Sequence, residues 1–200
     1  MAFFEYGQAE MDYLGGRDKK MGELINRIGL IRRALYPNIF TGLVHTILAQ
    51  QISPKAAQTI YDRLVERVGH LDPETVVRFT PEQLAGIGLS GRKTEYILSL
   101  AQTVCSGGLD DSLFPSMSDE EIVQQLVKLK GVGVWSAEMI LIFGLGRKDV
   151  FSPGDYGMRR GLMKLYRKEE ITPEQFKRYR KKFSPYGTIA SFYLWECNQE

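Results

Sequence analysis

The chain has 200 residues, 44% of them hydrophobic, which is enough to build one compact unit or two small lobes. A formal net charge of +2 does not by itself indicate a nucleic-acid partner. No apolar run reaches the roughly eighteen residues of a membrane span, and the first residues lack the pattern of a secretory signal. The two cysteines, Cys105 and Cys197, are far apart. We therefore expect a reduced, cytoplasmic protein, with a disulfide between them as the alternative.

A period of about 3.6 residues recurs along most of the chain and strand-like alternation is almost absent, so we predict an all-α fold. Three helix starts carry proline in the first helical position, at Ser53-Pro54, Thr80-Pro81 and Thr172-Pro173. Residues 110–118 form a predicted loop. The predicted helices cover residues 18–35, 38–51, 54–69, 81–86, 91–105, 119–129, 134–144, 156–167, 173–182 and 186–197.

Two features in the first half of the chain have a structural and a functional interpretation. The glutamine pair 50–51 ends an apolar helix face just before Ser53-Pro54, as a solvated helix terminus would. Residues 84–88 weakly repeat the glycine pattern of a later hairpin, and we predict a helix junction there. The Arg92 and Lys93 side chains that follow are predicted to be a solvated charge pair, with contact to phosphate as the alternative.

The segment Leu129–Gly133 is a predicted glycine hairpin between two helices. Gly131 and Gly133 permit a sharp turn and a close approach to another surface. The N–H groups of the turn and of the next helix would then form an anion site suited to a nucleic-acid phosphate. An ordinary helix–turn–helix connection with a glycine cap explains the pattern equally well.

Asp155 follows Pro153-Gly154 and precedes the predicted helix at Tyr156. Aspartate is a common N-cap, and the helix dipole stabilises its charged form. A carboxylate beside bound DNA is unfavourable unless the chemistry requires negative charge. Cleavage of an N-glycosidic bond does, because positive charge develops on the sugar as the base departs.

Together, LKGVGVWSAEM (129–139) and VFSPGDY (150–156) resemble motifs of the helix-hairpin-helix–Gly/Pro–Asp superfamily of DNA glycosylases. The chain is most similar to the 3-methyladenine DNA glycosylase II branch, from about Pro37 to Trp195. The resemblance implies two helical lobes with a DNA-binding cleft. One lobe would comprise residues 1–35 and 146–200, and the other residues 36–145, ending in the helix-hairpin-helix at 119–144.

The same resemblance implies a monofunctional enzyme that flips out and hydrolytically removes alkylated purines of the 3-methyladenine type. The product would be an abasic site in base excision repair. The partner would be double-stranded DNA containing damaged bases, and we expect a monomer. Base flipping costs roughly a few kcal/mol of stacking, which a wedge residue partly recovers. An aromatic cage attracts a cationic base by roughly 0.5–2 kcal/mol per contact.

The resemblance also assigns roles to single residues. The catalytic residue is Asp155, and the DNA wedge is Gln51. The base pocket is formed by Trp135, Met139, Tyr156 and Tyr186. For each aromatic residue of this set considered alone, core packing remains the alternative. The phosphate contacts come from Gly131, Gly133 and Ser136, with Lys128 and Lys130 nearby. The backbone carbonyls of Val127, Leu129 and Val132 match those that hold a sodium or potassium ion in the family.

Other features of the resemblance concern what this chain lacks. Bifunctional relatives place a nucleophilic lysine where this chain has Trp135, so no Schiff base is expected there. Two cysteines do not suffice for the four-cysteine iron–sulfur cluster of some relatives, and no cofactor is expected to be required. A cationic base leaves without prior protonation, so a general acid is not needed. His45 and His70 are predicted to be structural, and Glu138 has no predicted catalytic role.

The chain departs from the family pattern at Lys130-Gly131, Val134 and Gly187, where relatives commonly have Pro-Gly, a basic residue and arginine. These departures concern phosphate affinity and damage preference rather than hydrolysis. The resemblance implies an extra N-terminal β-domain in the larger bacterial members. About thirty-five residues precede Tyr36-Pro37, too few for that domain, so we expect a minimal form. The basic run 177–182 is predicted to be a solvated helix face, with contact to DNA as the alternative. The alternatives are another base specificity (uracil, hypoxanthine or mismatched thymine) and a non-catalytic helix-hairpin-helix DNA-binding module.

Overall fold

The computed structural model describes residues 2–199, and this part of the chain is helical, with no β-strand. An isolated antiparallel bridge joins Phe3 and Ala34. No helix in this range is long and apolar enough to cross a bilayer. The helices are α1 (Gln8–Arg17), α2 (Lys19–Ile28), α3 (Ile39–Ala49), α4 (Pro54–Val68), α5 (Pro73–Val76), α6 (Pro81–Leu84), α7 (Gly91–Cys105), a 3₁₀ helix (Asp111–Ser116), α8 (Asp119–Leu126), α9 (Val134–Phe143), α10 (Tyr156–Tyr166), α11 (Pro173–Phe183) and α12 (Gly187–Gln199).

The chain divides into two compact units. The terminal unit comprises Met1–Leu35 and Gly146–Glu200, and it contains α1, α2 and α10 to α12. The central unit comprises Tyr36–Leu145 and contains α3 to α9. Asp155, Tyr156 and Tyr186 belong to the terminal unit. Gln51, Trp135, Met139 and the residues of the hairpin belong to the central unit.

Each unit has its own apolar core, built around one or two helices that are mostly buried. In the terminal unit this helix is α12, whose residues from Gly187 to Leu194 are all buried. It packs against α10 so closely that a Cβ atom on Gly161 would lie 2.1 Å from the backbone oxygen of Leu194. In the central unit the corresponding helices are α3 and α9, whose apolar residues are mostly buried.

The predicted helix starts are confirmed. The hydroxyls of Ser53, Thr80 and Thr172 accept hydrogen bonds from backbone N–H groups in the first turns of α4, α6 and α11. Each of these helices has proline at its beginning, where the missing N–H removes no helical hydrogen bond.

The first predicted helix, 18–35, was too long, and the helix before it was not predicted. α2 ends at Ile28 because Gly29 adopts a positive φ of 76° and closes the helix. The residues that follow are not helical, and Leu35 N donates to Ala2 O at 2.9 Å. α1 contains Gly15, which lowers helix propensity. Glycine is required at this point because α1 packs closely against α2: a Cβ on Gly22 would lie 3.0 Å from Gly15 Cα.

Two further corrections concern segments expected to lack helix. The predicted loop 110–118 contains the 3₁₀ helix Asp111–Ser116. The unpredicted helix α5 begins after Asp72, whose carboxylate accepts a hydrogen bond from Thr75 N at 2.7 Å. Both elements are a few residues long, so they contain too little of a helical period to be recognised.

The basic run on α11 is only partly the solvated face that we predicted. Arg180 pairs with Asp149, and Lys182 pairs with the buried Asp18. These two cations therefore bind within the terminal unit, while Lys177 and Lys181 are exposed on the surface.

Candidate active site

Asp155 is the N-cap of α10, as predicted, and the residue is only 6% exposed. Its Oδ1 atom accepts a hydrogen bond from Met158 N at 2.6 Å and another from the indole Nε1 of Trp195 at 2.9 Å. The two donors come from different helices, α10 and α12. They fix the orientation of an acceptor that lies at the positive end of a helix dipole.

The turn that carries Asp155 is attached to the core on its N-terminal side. The ring of Phe151 packs against those of Phe176 and Phe183, with centroids 5.0 and 5.9 Å away. Val150 N donates to the hydroxyl of Thr188 at 3.0 Å. An apolar anchor and a buried hydrogen bond therefore hold the chain just before the turn, which limits its movement.

Asp149 connects this segment to the beginning of α12. Its carboxylate accepts hydrogen bonds from Ser184 Oγ at 2.7 Å, from Gly187 N at 3.0 Å and from Arg180. A Cβ on Gly187 would lie 3.0 Å from Asp149 Oδ1 and 3.2 Å from Val150 O. The glycine at this position thus permits a close approach of the two segments.

The two tyrosines predicted for the base pocket differ in exposure. Tyr186 is half-buried, and its ring meets that of Tyr13 edge to face at a centroid distance of 5.1 Å. Tyr156 is 71% exposed. The guanidinium of Arg160 lies 5.7 Å from its ring centroid and donates to its hydroxyl at 3.1 Å. Tyr156 therefore presents its ring to solvent together with a cation from its own helix.

In the central unit, the predicted hairpin joins α8 and α9, which confirms the helix-hairpin-helix. Gly131 has a φ of 83°, and a Cβ there would lie 2.1 Å from the ring of Tyr96. Both the backbone conformation and the space therefore require glycine. Gly133 is the N-cap of α9 without a side-chain cap hydrogen bond, and a Cβ there would have open space around it. An anion could approach the first N–H groups of α9 from that side.

Gln50 links the hairpin to the start of α9 through hydrogen bonds to Gly131 and Ser136. Ser136 is 2% exposed, and its hydroxyl accepts a hydrogen bond from Gln50 Nε2 at 3.3 Å. The same amide donates to Gly131 O at 2.8 Å. The Ser136 side chain thus faces inward, so the predicted contact to phosphate would have to come from its backbone N–H. Lys130, predicted to suit phosphate, forms an ion pair with Glu95.

The carbonyls predicted to bind a cation lie in the hairpin and at the C-terminal end of α8. Val127 is exposed, whereas Leu129 and Val132 are buried. Leu129 O already accepts a hydrogen bond from Val132 N at 3.1 Å, which closes the turn. A carbonyl oxygen has a second lone pair, so this bond is compatible with a cation on the other side.

The predicted wedge residue lies in the turn after α3. Gln51 is exposed and has a φ of 59°, a left-handed conformation that is uncommon for residues other than glycine. Lys93 holds the turn, since its ammonium donates to Leu48 O at 2.7 Å and to Gln50 O at 2.8 Å. Partial burial lowers the pKa of Lys93. Our prediction that Lys93 belongs to a solvated charge pair was therefore wrong, because its ammonium closes the C-terminus of α3. The alternative, a contact of Lys93 with phosphate, stays a prediction.

Trp135 and Met139 lie one turn apart on α9, as their spacing predicted. Trp135 is half-buried near the start of the helix, and Met139 is 5% exposed. The indole thus retains a surface that a ligand could reach, and Met139 lies in the apolar interior of the central unit.

Sequence reasoning missed three side chains that hold these groups in place: Trp195, Gln50 and Lys93. Each acts on a segment more than a helix away, at sequence separations of 40 for Trp195 to Asp155, 81 for Gln50 to Gly131 and 45 for Lys93 to Leu48. Gln50 had a weak signal, as a polar residue ending an apolar helix face. Lys93 was noted only as a solvated or phosphate-contacting charge, and Trp195 had no signal.

Comparison with known proteins gives one matching family and several similar relatives. Residues 44–185 match the model of the family described as HhH-GPD superfamily base excision DNA repair protein. DNA-3-methyladenine glycosylase 1 of Schizosaccharomyces pombe is 29% identical over 200 residues, covering 94% of this chain and 86% of that protein. DNA-3-methyladenine glycosylase of Saccharomyces cerevisiae is 36% identical over 193 residues, covering 78% of this chain and 65% of that protein.

Among solved structures, the chain is similar to the S. pombe 3-methyladenine DNA glycosylase Mag1 in complex with abasic DNA. The TM-score is 0.87 at 28% identity, covering 94% of this chain and 96% of that one. The chain spans between 58% and 86% of the length of the first three curated relatives that it matches.

Proposed function

The chain belongs to the HhH-GPD superfamily of base excision DNA repair proteins, and we propose that it is a DNA glycosylase that removes alkylated purines. The observation that carries this proposal is the carboxylate of Asp155, which two donors hold at the N-terminus of α10. The helix-hairpin-helix in the same chain supplies a means of holding DNA. The names of the S. pombe and S. cerevisiae relatives support 3-methyladenine as the type of substrate.

In the proposed reaction, the bond between the base nitrogen and C1′ of the sugar breaks, and its electron pair leaves with the base. A base that carries a positive charge departs neutral, so no proton has to be added first. The positive charge that develops at C1′ is stabilised by the Asp155 carboxylate. Water then adds its oxygen to C1′ and loses a proton, which leaves an abasic sugar.

The reaction would stop at the abasic site. A second cleavage, of the DNA strand itself, requires an amine that attacks C1′ and forms a Schiff base. In bifunctional relatives, as the sequence resemblance implies, a lysine occupies the position of Trp135. An indole has no nucleophilic amine, and its ring face would instead attract a cationic base.

DNA would be held through its backbone at the hairpin, without reading of base sequence. The N–H groups near Gly131 and Gly133 suit phosphate oxygens, because α9 begins there without a side-chain cap. The carbonyls of Val127, Leu129 and Val132 would hold a sodium or potassium ion, since neutral backbone oxygens can replace the hydration shell of such ions. When bound, that ion would supply one positive charge at the hairpin, which favours a phosphate nearby.

A glycosylase assay on a panel of duplexes tests the proposal. We expect release of 3-methyladenine from methylated DNA, with strand breaks only after alkaline treatment. Breaks before alkali would contradict the absence of lyase chemistry. Excision of uracil, hypoxanthine or mismatched thymine in preference to alkylated purines would support a different specificity on the same fold. Binding without excision of any base would indicate a non-catalytic DNA-binding module.

The Gln51 turn gives a prediction for base flipping. Lys93→Met removes two charge-assisted hydrogen bonds to the end of α3. This loss destabilises the turn by about 1.5–3 kcal/mol. If Gln51 is the wedge, we expect the flipped population to fall roughly 10- to 100-fold. The fluorescence of 2-aminopurine next to the lesion measures this population. Arg92→Met, in the exposed neighbour, is the matched control and should leave flipping unchanged. Normal flipping by Lys93→Met would show that the turn does not depend on this cation.

A further inference from the structure

The hydrogen bond between Trp195 and Asp155 is not needed to cap α10. Capping requires only that the carboxylate accept a hydrogen bond from one backbone N–H of the first turn. Met158 N donates this bond at 2.6 Å. The second donor, Trp195 Nε1 at 2.9 Å, comes from the last turns of α12, a different helix. An indole N–H can only donate, so it suits an ionised carboxylate as acceptor. The pair thus has a geometry that capping alone leaves unexplained.

The surroundings keep this bond in place. The indole of Trp195 is half-buried, and the ring of Phe192 lies beside it at a centroid distance of 5.8 Å. A Cβ on Gly157 would lie 3.3 Å from Trp195 Cδ1 and 3.5 Å from Asp155 Oδ1. Because residue 157 has no side chain, the indole comes close to the first turn of α10. A larger residue would have to share this space with the donor and the acceptor.

We propose that Trp195 is a positioning residue for Asp155, a role that rests on the proposed glycosylase function. Two donors reach the same oxygen, one from each helix, and so restrict rotation of the carboxylate about its side-chain bonds. The carboxylate then meets the sugar in a fixed orientation and needs no reorganisation when charge develops at C1′. Trp195 acts through Asp155 and does not itself contact the reacting atoms.

A purely structural role for Trp195 makes a different prediction. If the residue only packs α12 against α10, any aromatic ring of similar size preserves function. If its N–H positions Asp155, removal of that one donor slows the chemical step even when the ring is kept. Two replacements separate these cases: Trp195→Phe, and 3-benzothienylalanine at position 195, in which sulfur replaces the N–H and the bicyclic shape is retained.

For both replacements we expect the single-turnover rate at saturating DNA to fall about 10- to 100-fold, as small misplacements of catalytic groups do. Affinity for abasic DNA should stay within about twofold. The control is Tyr193→Phe in the same helix, which removes the 3.0 Å hydrogen bond from its hydroxyl to Gly29 O but no donor to Asp155. It should keep the full rate. A normal rate in the benzothienylalanine variant would overturn the proposal, even if Trp195→Phe were poorly folded.

A second measurement does not depend on activity. The chain has two tryptophans, so the missing indole N–H resonance in Trp195→Phe assigns the signal of Trp195. In Asp155→Asn the acceptor becomes neutral, and we expect this resonance to move upfield and its proton to exchange faster with solvent. An unchanged resonance would contradict the hydrogen bond. If the unaltered protein released no base while the resonance responded as expected, the proposed function would fail separately from the contact.

Discussion

Asp155→Asn is expected to reduce base release by about 10³-fold or more while DNA binding is retained. The amide has nearly the shape of the carboxylate, and asparagine is as good an N-cap as aspartate, so the hydrogen bond from Met158 N can persist. What is lost is the negative charge that would stabilise the sugar as the base departs. The effect should therefore appear in the chemical step and not in the fold.

Single-turnover excision from methylated DNA measures this loss, and binding to an abasic duplex measures what is retained. A matched control exists in the same unit. Asp18 is also a buried N-cap aspartate, 8% exposed, and accepts from Met21 N at 2.9 Å. Asp18→Asn weakens its ion pair with Lys182 and should lower stability, but it should not change the excision rate at a permissive temperature. Undiminished excision by Asp155→Asn would remove the basis of the proposed mechanism.

The features that could be predicted from the sequence are those encoded within a few residues. Proline after Ser53 or Thr172 marks a helix start because the cap and the first helical position are adjacent. Asp155 was identified as an N-cap for the same reason. Gly131 was identified because its hairpin is contained in a short segment. In each case the residues that cause the structure lie within a few positions of one another, so a short stretch of sequence reveals it.

What could not be predicted depends on distant partners. The indole that reaches Asp155 is 40 residues away, and the ammonium that closes α3 is 45 residues beyond Leu48. The glycines of α1 and α2 lower helix propensity locally and become favourable only when the two helices touch. Local helix propensity therefore gave wrong helix boundaries near the N-terminus, because the contact between α1 and α2 stabilises these helices. The roles assigned to Trp135, Tyr156, Tyr186 and Gln51 remain predictions.

The second large effect is expected from Gly161→Ala. A Cβ at this position would lie 2.1 Å from Leu194 O and 2.7 Å from Leu194 C, distances at which atoms cannot coexist. These are backbone atoms of a buried helix, so no flexible side chain can move aside. α10 and α12 must separate, and we expect a loss of about 1–3 kcal/mol in the free energy of unfolding. For a chain of this size, that lowers Tm by about 2–12 °C.

Gly16→Ala is the matched control, since Gly16 lies in α1 of the same unit and a Cβ there meets no atom within 4 Å. It should raise stability by about 0.5–1 kcal/mol, because alanine favours the helix over glycine. Thermal unfolding of both variants by circular dichroism gives the comparison. A Tm for Gly161→Ala equal to that of the unaltered protein would mean that the two helices tolerate separation.

Gly161→Ala also tests whether the packing of α10 against α12 matters for the chemistry. α10 begins at the Asp155 cap, and α12 carries the indole that donates to the same carboxylate. Separation of the helices should lengthen this hydrogen bond, so excision should slow even at temperatures where the variant is fully folded. We expect its single-turnover rate to fall to a similar extent as in Trp195→Phe, and the double variant to lose little more, because both changes act on one contact. Additive losses would show that the two residues affect the rate by separate routes.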